Sequence, residues 1–283
     1  MQAASSYVRL IRPLNCVMMS LAVLVGGVLA KQNFSDLSWV NILLGGLTGF
    51  TLTAASMAVN DYYDRDIDAI NEPNRPIPSG AVTTNAALLL TAVLSGLGFV
   101  FAFLTSFVCL VSAVIAWVIM LTYTTVGKRS GLPGNFLVSA CVATPFIYGS
   151  LAVTNAVQLN VFLFASMAFL SNTGREITKG IVDVQGDSAN KVKTVAARFG
   201  EKRAAAVSVG FYVFAVCLSP IPLVLNLTSF WYVPFVLVTD VGLISCSALL
   251  IKNPSRENAR RIKKLVLFLF LVGLLAYIFG MFR

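Results

Sequence analysis

Apolar residues run through this chain in blocks long enough to cross about 30 Å of hydrocarbon as helices. The blocks lie at 14–30, 39–59, 86–104, 107–125, 136–153, 158–174, 204–222, 231–251 and 264–282. They predict nine spans, joined by turns short enough that counts of eight or ten also fit. Composition agrees: 57% of the residues are hydrophobic and 12% charged, with a mean hydropathy of +0.82. One soluble core of 283 residues has no room for that much apolar surface. The expected fold is an all-α integral membrane protein of about nine transmembrane helices. These form a bundle around a central cavity with a polar cap on the cytoplasmic side, and residues 1–283 make one domain.

Charge gives the orientation. When the segments between spans are assigned alternately to two sides, nineteen of the 21 Lys and Arg fall on one side. Only Lys31 and Arg283 fall on the other, so the basic side is expected to face the cytoplasm of a cell membrane. Topology alone therefore accounts for most of the net charge of +9, and no nucleic-acid partner is implied. Arg9 and Arg12 precede the first span without a small-residue cleavage site, so no cleavable signal peptide is expected. The five cysteines lie in or beside apolar runs without CxxC spacing, which speaks against disulfides and thiolate metal sites.

Ten of the twelve acidic residues share the basic side, and sorting by positive charge does not explain them. The sequence NDYYDRDID (60–68) closes the second span. If the helix continues through it, steps of 100° put Asp61, Asp64 and Asp68 within about 60° of one another. Asn60 lies on the same side and Asp66 points away. Like charges on one helix face repel by a few tenths of a kcal/mol per pair, and by more beside a low-dielectric membrane. A cation resolves the repulsion.

REITKGIVDVQGD (175–187), at the end of the sixth span, repeats the theme. Glu176, Lys179, Asp183 and Asp187 fall within about 80° on a helix. Asp64/Asp68 and Asp183/Asp187 share an i, i+4 step, so two carboxylate helices are expected to form one site. With Asp and Asn oxygens as ligands and no His in the chain, the cation expected is Mg²⁺, shared with a substrate phosphate.

The surrounding polar segments suit an anion. AINEPNRPIPSG (69–80) is held off helical geometry by three prolines and puts Arg75 on a stiff turn near the acids. YTTVGKRSGLPGN (123–135) offers Tyr123, Lys128, Arg129 and Asn135. Arg75, Lys128 and Arg129 also satisfy the topology rule, so each has two readings. Lys179 shares the carboxylate face and either pairs with an acid or contacts phosphate. Asn15, at the start of the first span, is an interfacial hydrogen-bonding group or part of the site. Asp240 lies in mid-span, where a charge costs about 2.5–3.5 kcal/mol on insertion scales. It is a functional candidate, a neutral acid or a hydrogen-bonded one.

NDYYDRDID resembles the NDxxDxxxD signature of the UbiA superfamily of membrane prenyltransferases, and DVQGD resembles its second, DxxxD, signature. The likeness covers nearly the whole chain and includes the YxxxxK loop between the two. NDYYDRDIDAINEPNRPIPSG is similar to the chlorophyll-synthesising and the archaeal ether-lipid branches. GREITKGIVDVQGD, KVKTVAARFG and YVRLIRPLNCVMM are more similar to the lipid branch. One position departs from the pattern: Gly180 stands where the family's helix often carries an aspartate.

The resemblance implies transfer of a geranylgeranyl group from geranylgeranyl diphosphate to the glycerol sn-2 hydroxyl of geranylgeranylglyceryl phosphate. It implies Mg²⁺ on Asn60, Asp61, Asp64, Asp68, Asp183 and Asp187, with Asp64, Asp68, Asp183 and Asp187 as the catalytic set. Asn15, Asn60, Arg75, Tyr123, Lys128 and Lys179 are the substrate-binding residues it implies. Another acceptor, a chlorin or an aromatic acid, is the alternative within the family. A cation-coupled transporter is the alternative outside it, and would place acids at mid-membrane in broken helices.

Overall fold

A computed structural model describes residues 2–32, 35–189 and 192–282, and every regular element among them is helical. In chain order these are α1 (Gln2–Ile11), α2 (Pro13–Lys31), α3 (Trp39–Asn71), α4 (Thr84–Thr105) and α5 (Phe107–Thr125). A short 3₁₀ turn (Gly127–Arg129) leads to α6 (Leu132–Thr154), α7 (Leu159–Ala189), α8 (Val195–Phe199) and α9 (Glu201–Leu218). The chain closes with α10 (Ile221–Val224), α11 (Tyr232–Lys252) and α12 (Arg256–Phe279). Helix ends follow local chemistry. Thr83 caps α4 by accepting the Ala86 N–H, and Ser255 caps α12 by accepting that of Asn258. Pro13 opens α2, and α3 stops two residues before Pro73.

Eight helices among the described residues are long and apolar enough to cross a membrane: α2 to α6, α9 continuing to Val224, α11 and α12. The expected sixth span, 158–174, lies on α7. That helix is long enough, but Asn160, Asn172, Thr173, Arg175 and Glu176 interrupt its apolar run, so it is not among these eight. This remains an all-α, multi-pass membrane fold. Its apolar surface fits: Phe107 is 71% exposed and Leu89 67%, a burden that lipid relieves.

α3 has 33 residues and so runs about 50 Å at 1.5 Å per residue. Its apolar part, 39–59, fills the hydrocarbon thickness, and the segment from Asn60 onward projects beyond it. α7, with 31 residues, likewise runs on from its apolar stretch, 158–174, into a charged segment. Both acidic motifs therefore stand on helix extensions. The segment 123–135 is less of a loop than expected: α5 runs to Thr125 and α6 begins at Leu132, so Asn135 is helical.

Packing divides the chain into two compact units, residues 1–125 with 145–157, and residues 126–144 with 158–283. The division falls within α6 at Pro145, which removes a backbone donor from the helix interior. In the first unit α3 lies along α2 and α4, around a core that includes Val23, Ala102, Cys109, Ala113, Tyr148 and Ala152. In the second, α7 packs on α9 and α12, and α11 packs on both α9 and α12. Ile177, Ile181, Tyr212, Leu243, Ile262 and Val266 belong to that core. All five cysteines are free, as expected.

Within the first unit, α2 and the end of α6 touch backbone to backbone. A Cβ on Gly26 would run into the Phe146 carbonyl, and one on Gly149 into the Val23 carbonyl. Small residues permit this approach, as at other membrane helix pairs. Gly149→Ala is expected to lower stability by about 1–3 kcal/mol. Gly96→Ala, at a position with nothing within 4 Å, should leave it within about 0.5 kcal/mol. Thermal unfolding of both variants in detergent checks the contrast.

Candidate active site

The first acidic cluster is assembled by three segments of the first unit. α3 remains helical through Asn71, so Asp61, Asp64 and Asp68 do share one face. Asp66 stands away from them, its side chain 85% exposed beside Arg65. Leu10 of α1, Ala58 of α3, and Ile77 and Val82 of the proline-rich turn form a small apolar core, which clamps the turn and the end of α1 against α3. The turn is further tied by Ser79 N–H to Arg75 C=O at 3.0 Å and Val82 N–H to Pro76 C=O at 2.9 Å.

That clamp delivers two arginines to the carboxylates. Arg75 Nη1 lies 2.5 Å from Asp68 Oδ2 and 3.6 Å from Asp61 Oδ1. Arg12 Nη2 lies 2.5 Å from Asp61 Oδ1. Asp61 and Asp68 are nearly enclosed, their side chains 3% and 9% exposed. Arg12 sits between α1 and α2 with φ 51° and ψ 69°, a left-handed conformation that costs a non-glycine residue about 1–2 kcal/mol. The ion pair with a buried carboxylate offsets that strain. Arg12 was not among the site residues expected, because its sequence context marks it only as a topology cation. The one signal was its place directly before Pro13, at a break between two helices.

Other expected residues are placed as follows. Asn60 Nδ2 donates to Asp64 Oδ2 at 3.1 Å, so the amide and the acid meet one helical turn apart. Asn15, on α2, reaches Met57 Sδ at 3.8 Å rather than a carboxylate. Tyr123 is half-buried on α5 of this unit.

The second cluster belongs to the other unit. Thr178 is buried and bonds Ser208 at 2.8 Å and Tyr212 at 3.1 Å on α9. On a helix Thr178 lies roughly 100–160° from Glu176, Lys179 and Asp183. Anchoring it on α9 turns those three away from the α9 interface, where they are half-buried. Glu176 takes both Arg175 Nη1 at 3.0 Å and Lys179 Nζ at 3.3 Å, so Lys179 pairs with an acid, one of its two expected readings. The Asp187 side chain lies outside the described residues. At Gly180 a Cβ would make ordinary contact with the Thr194 side chain, at 3.6 Å or more, so the site would accept a side chain's first carbon. Lys128 is half-buried in the 3₁₀ turn. The following residue anchors that turn, its carbonyl accepting the Lys193 N–H at 3.3 Å.

Asp240 accepts a 2.5 Å hydrogen bond from Ser219 Oγ, and Ser219 C=O accepts from Tyr232 Oη at 2.9 Å. Of its three readings, the structure supports the hydrogen-bonded acid, inside the second unit.

The donors available for a metal are hard: carboxylate and amide oxygens, with no His in the chain. Their chemistry suits Mg²⁺. Among the described residues, however, no three Asp, Glu or Cys side chains converge tightly enough to hold an ion. Asp61 and Asp68 are engaged by arginines instead.

Comparison with known proteins gives these features a context. Residues 19–277 match the UbiA prenyltransferase family. A digeranylgeranylglyceryl phosphate synthase from Archaeoglobus fulgidus is 37% identical over 270 residues, covering 94% of this chain and 92% of its own length. A solved structure of a digeranylgeranylglyceryl phosphate synthase superposes with a TM-score of 0.88 at 30% identity, covering 99% of both chains. A UbiA homologue from Archaeoglobus fulgidus, bound to GPP and Mg²⁺, has a TM-score of 0.67 at 16% identity over 96% of this chain and 99% of its own, and shares the fold.

The buried pairs and the exposed one should respond differently to mutation. Arg75→Gln leaves two enclosed carboxylates with less compensation and is expected to lower stability by about 1–3 kcal/mol, discounted for the partial exposure of the arginine. Arg65→Gln, beside the exposed Asp66, should change it by less than about 0.5 kcal/mol. Thermal unfolding and proteolysis of the 72–82 turn measure both.

Proposed function

The chain belongs to the UbiA prenyltransferase family, and on that premise we propose that it transfers a geranylgeranyl group from geranylgeranyl diphosphate to the sn-2 hydroxyl of geranylgeranylglyceryl phosphate, in archaeal ether-lipid synthesis. The observation that carries this reading is the acidic extension of α3, with Asp61 and Asp68 held by Arg12 and Arg75. A run of enclosed carboxylates interleaved with guanidinium groups suits a polyanion bound with its counter-ions. Near-full-length similarity to the archaeal lipid enzymes supports the choice of acceptor over a chlorin or an aromatic acid. The family match runs through both units, which supports treating 1–283 as one domain. The one-sided excess of Lys and Arg supports an active site on the cytoplasmic side of the cell membrane.

In this reading Asn60, Asp61, Asp64, Asp68, Asp183 and Asp187 would hold Mg²⁺, which supplies neutralisation of the charge gathering on departing diphosphate. Arg75, Lys128 and Lys179 donate charge-assisted hydrogen bonds to phosphate oxygens, with Asn15 and Tyr123 beside the substrate. The allylic carbon–oxygen bond breaks, an ether bond forms to the acceptor oxygen, and the hydroxyl proton leaves. No His is present to take it, so a carboxylate, a tyrosine or the diphosphate itself does so. The apolar spans keep water from the allylic cation.

Purified protein supplied with geranylgeranyl diphosphate and Mg²⁺ should prenylate geranylgeranylglyceryl phosphate and lose that activity in EDTA. Product with only an aromatic acceptor would overturn the lipid assignment, and product with no acceptor would overturn the enzyme. Asp64→Asn and Asp183→Asn should each lower turnover on the order of 100-fold or more while remaining folded. Near-normal turnover in either would break the two-cluster site.

A further inference from the structure

The second unit carries more cations than the donor-binding roles given to Lys179 and Asp183 take up. Ile177, Ile181 and Val182 of α7 share one apolar core with Ala259, Ile262 and Val266 of α12. That packing sets the 175–183 stretch of α7 beside the 259–266 stretch of α12. Lys263 lies within the electrostatic reach of Asp183, Lys179, Arg175 and Arg260. Glu176 already serves two cations, Arg175 and Lys179. Arg175 Nε is fully enclosed and has no hydrogen-bond partner among the described residues.

Among the described side chains the four cations face two carboxylates, a formal charge of +2, and Asp187, on the same α7 face by helical geometry, brings it to +1. Positive-inside sorting accounts for cations on this side of the membrane. It does not account for an enclosed guanidinium nitrogen without an acceptor, or for two cations sharing one carboxylate. Such a seam suits an anion with several acceptor oxygens, which a phosphate monoester at pH 7 supplies.

We infer that the seam formed by Arg175, Lys179, Arg260 and Lys263 binds the phosphate monoester of the acceptor lipid. The inference rests on the function proposed above. In that acceptor the phosphate-bearing carbon is bonded to the carbon carrying the reactive hydroxyl. Holding the phosphate beside Asp183 therefore holds the hydroxyl near the second acidic cluster. Arg260 and Lys263 act here as specificity residues for the phosphorylated acceptor.

The test measures binding to the full-length protein in lipid nanodiscs, with three probes: geranylgeranylglyceryl phosphate, its dephosphorylated alcohol, and geranylgeranyl diphosphate. Wild type should prefer the phosphorylated lipid over the alcohol by roughly tenfold or more. Arg260→Gln and Lys263→Gln should each lose most of that preference, Lys263→Arg should keep it, and donor affinity should stay within about twofold. Inorganic phosphate should displace the lipid from wild type and less readily from Lys263→Gln. The inference is overturned if both Gln variants keep the preference, if donor affinity falls in parallel, or if inorganic phosphate displaces the lipid equally from wild type and variant. Turnover by wild type of a different acceptor would instead overturn the proposed function, and binding contrasts separate the two failures.

Discussion

A carboxylate enclosed at the end of an apolar helix must be balanced, and much of the first unit is arranged around that requirement. Asp61 is nearly sealed from solvent, and two arginines from opposite sides of it in sequence supply the balance. One comes from a left-handed break between α1 and α2, the other from the turn that ends α3. Losing either arginine leaves Asp61 with one partner in place of two, which is destabilising. The pair with Asp61 therefore joins α1, α3 and the proline-rich turn, and the small core of Leu10, Ala58, Ile77 and Val82 shares that task.

The second unit solves a similar problem with the opposite sign. Thr178, Ser208 and Tyr212 form a buried hydroxyl network between α7 and α9, and this fixes the rotation of α7 about its axis. Among the described side chains, the face so presented carries more cations than carboxylates once Lys263 and Arg260 of α12 are included. Carboxylates held by arginines in one unit and cations in excess in the other are both suited to substrates carrying phosphate groups.

Long periodic features were legible in the sequence. The apolar runs, the continuation of α3 through NDYYDRDID, and the outward turn of Asp66 follow from helical geometry alone, and the structure bears them out. The stiff turn presenting Arg75 was legible too, because three prolines remove most of its freedom. Arg12 was not legible, since its pairing with Asp61 depends on a single left-handed residue that leaves no period to read. α7 was read as an apolar span, and the polar residues within it have packing roles that spacing does not reveal: Asn172 and Thr173 bond Ser139 of α6, and Thr178 beyond them bonds α9. Whether carboxylates converge on a cation is a matter of side-chain placement, and spacing along a helix fixes only the face.

The central claim is that the acidic helix ends hold the diphosphate of the donor through a divalent cation. Anomalous diffraction from crystals grown with Mn²⁺ in place of Mg²⁺ and with geranylgeranyl diphosphate measures this most directly. The account predicts metal peaks at Asp64 or Asp68 of α3 and at Asp183 of α7 in crystals that hold the diphosphate. Diphosphate bound with no metal on these aspartates, or metal held elsewhere, would contradict it.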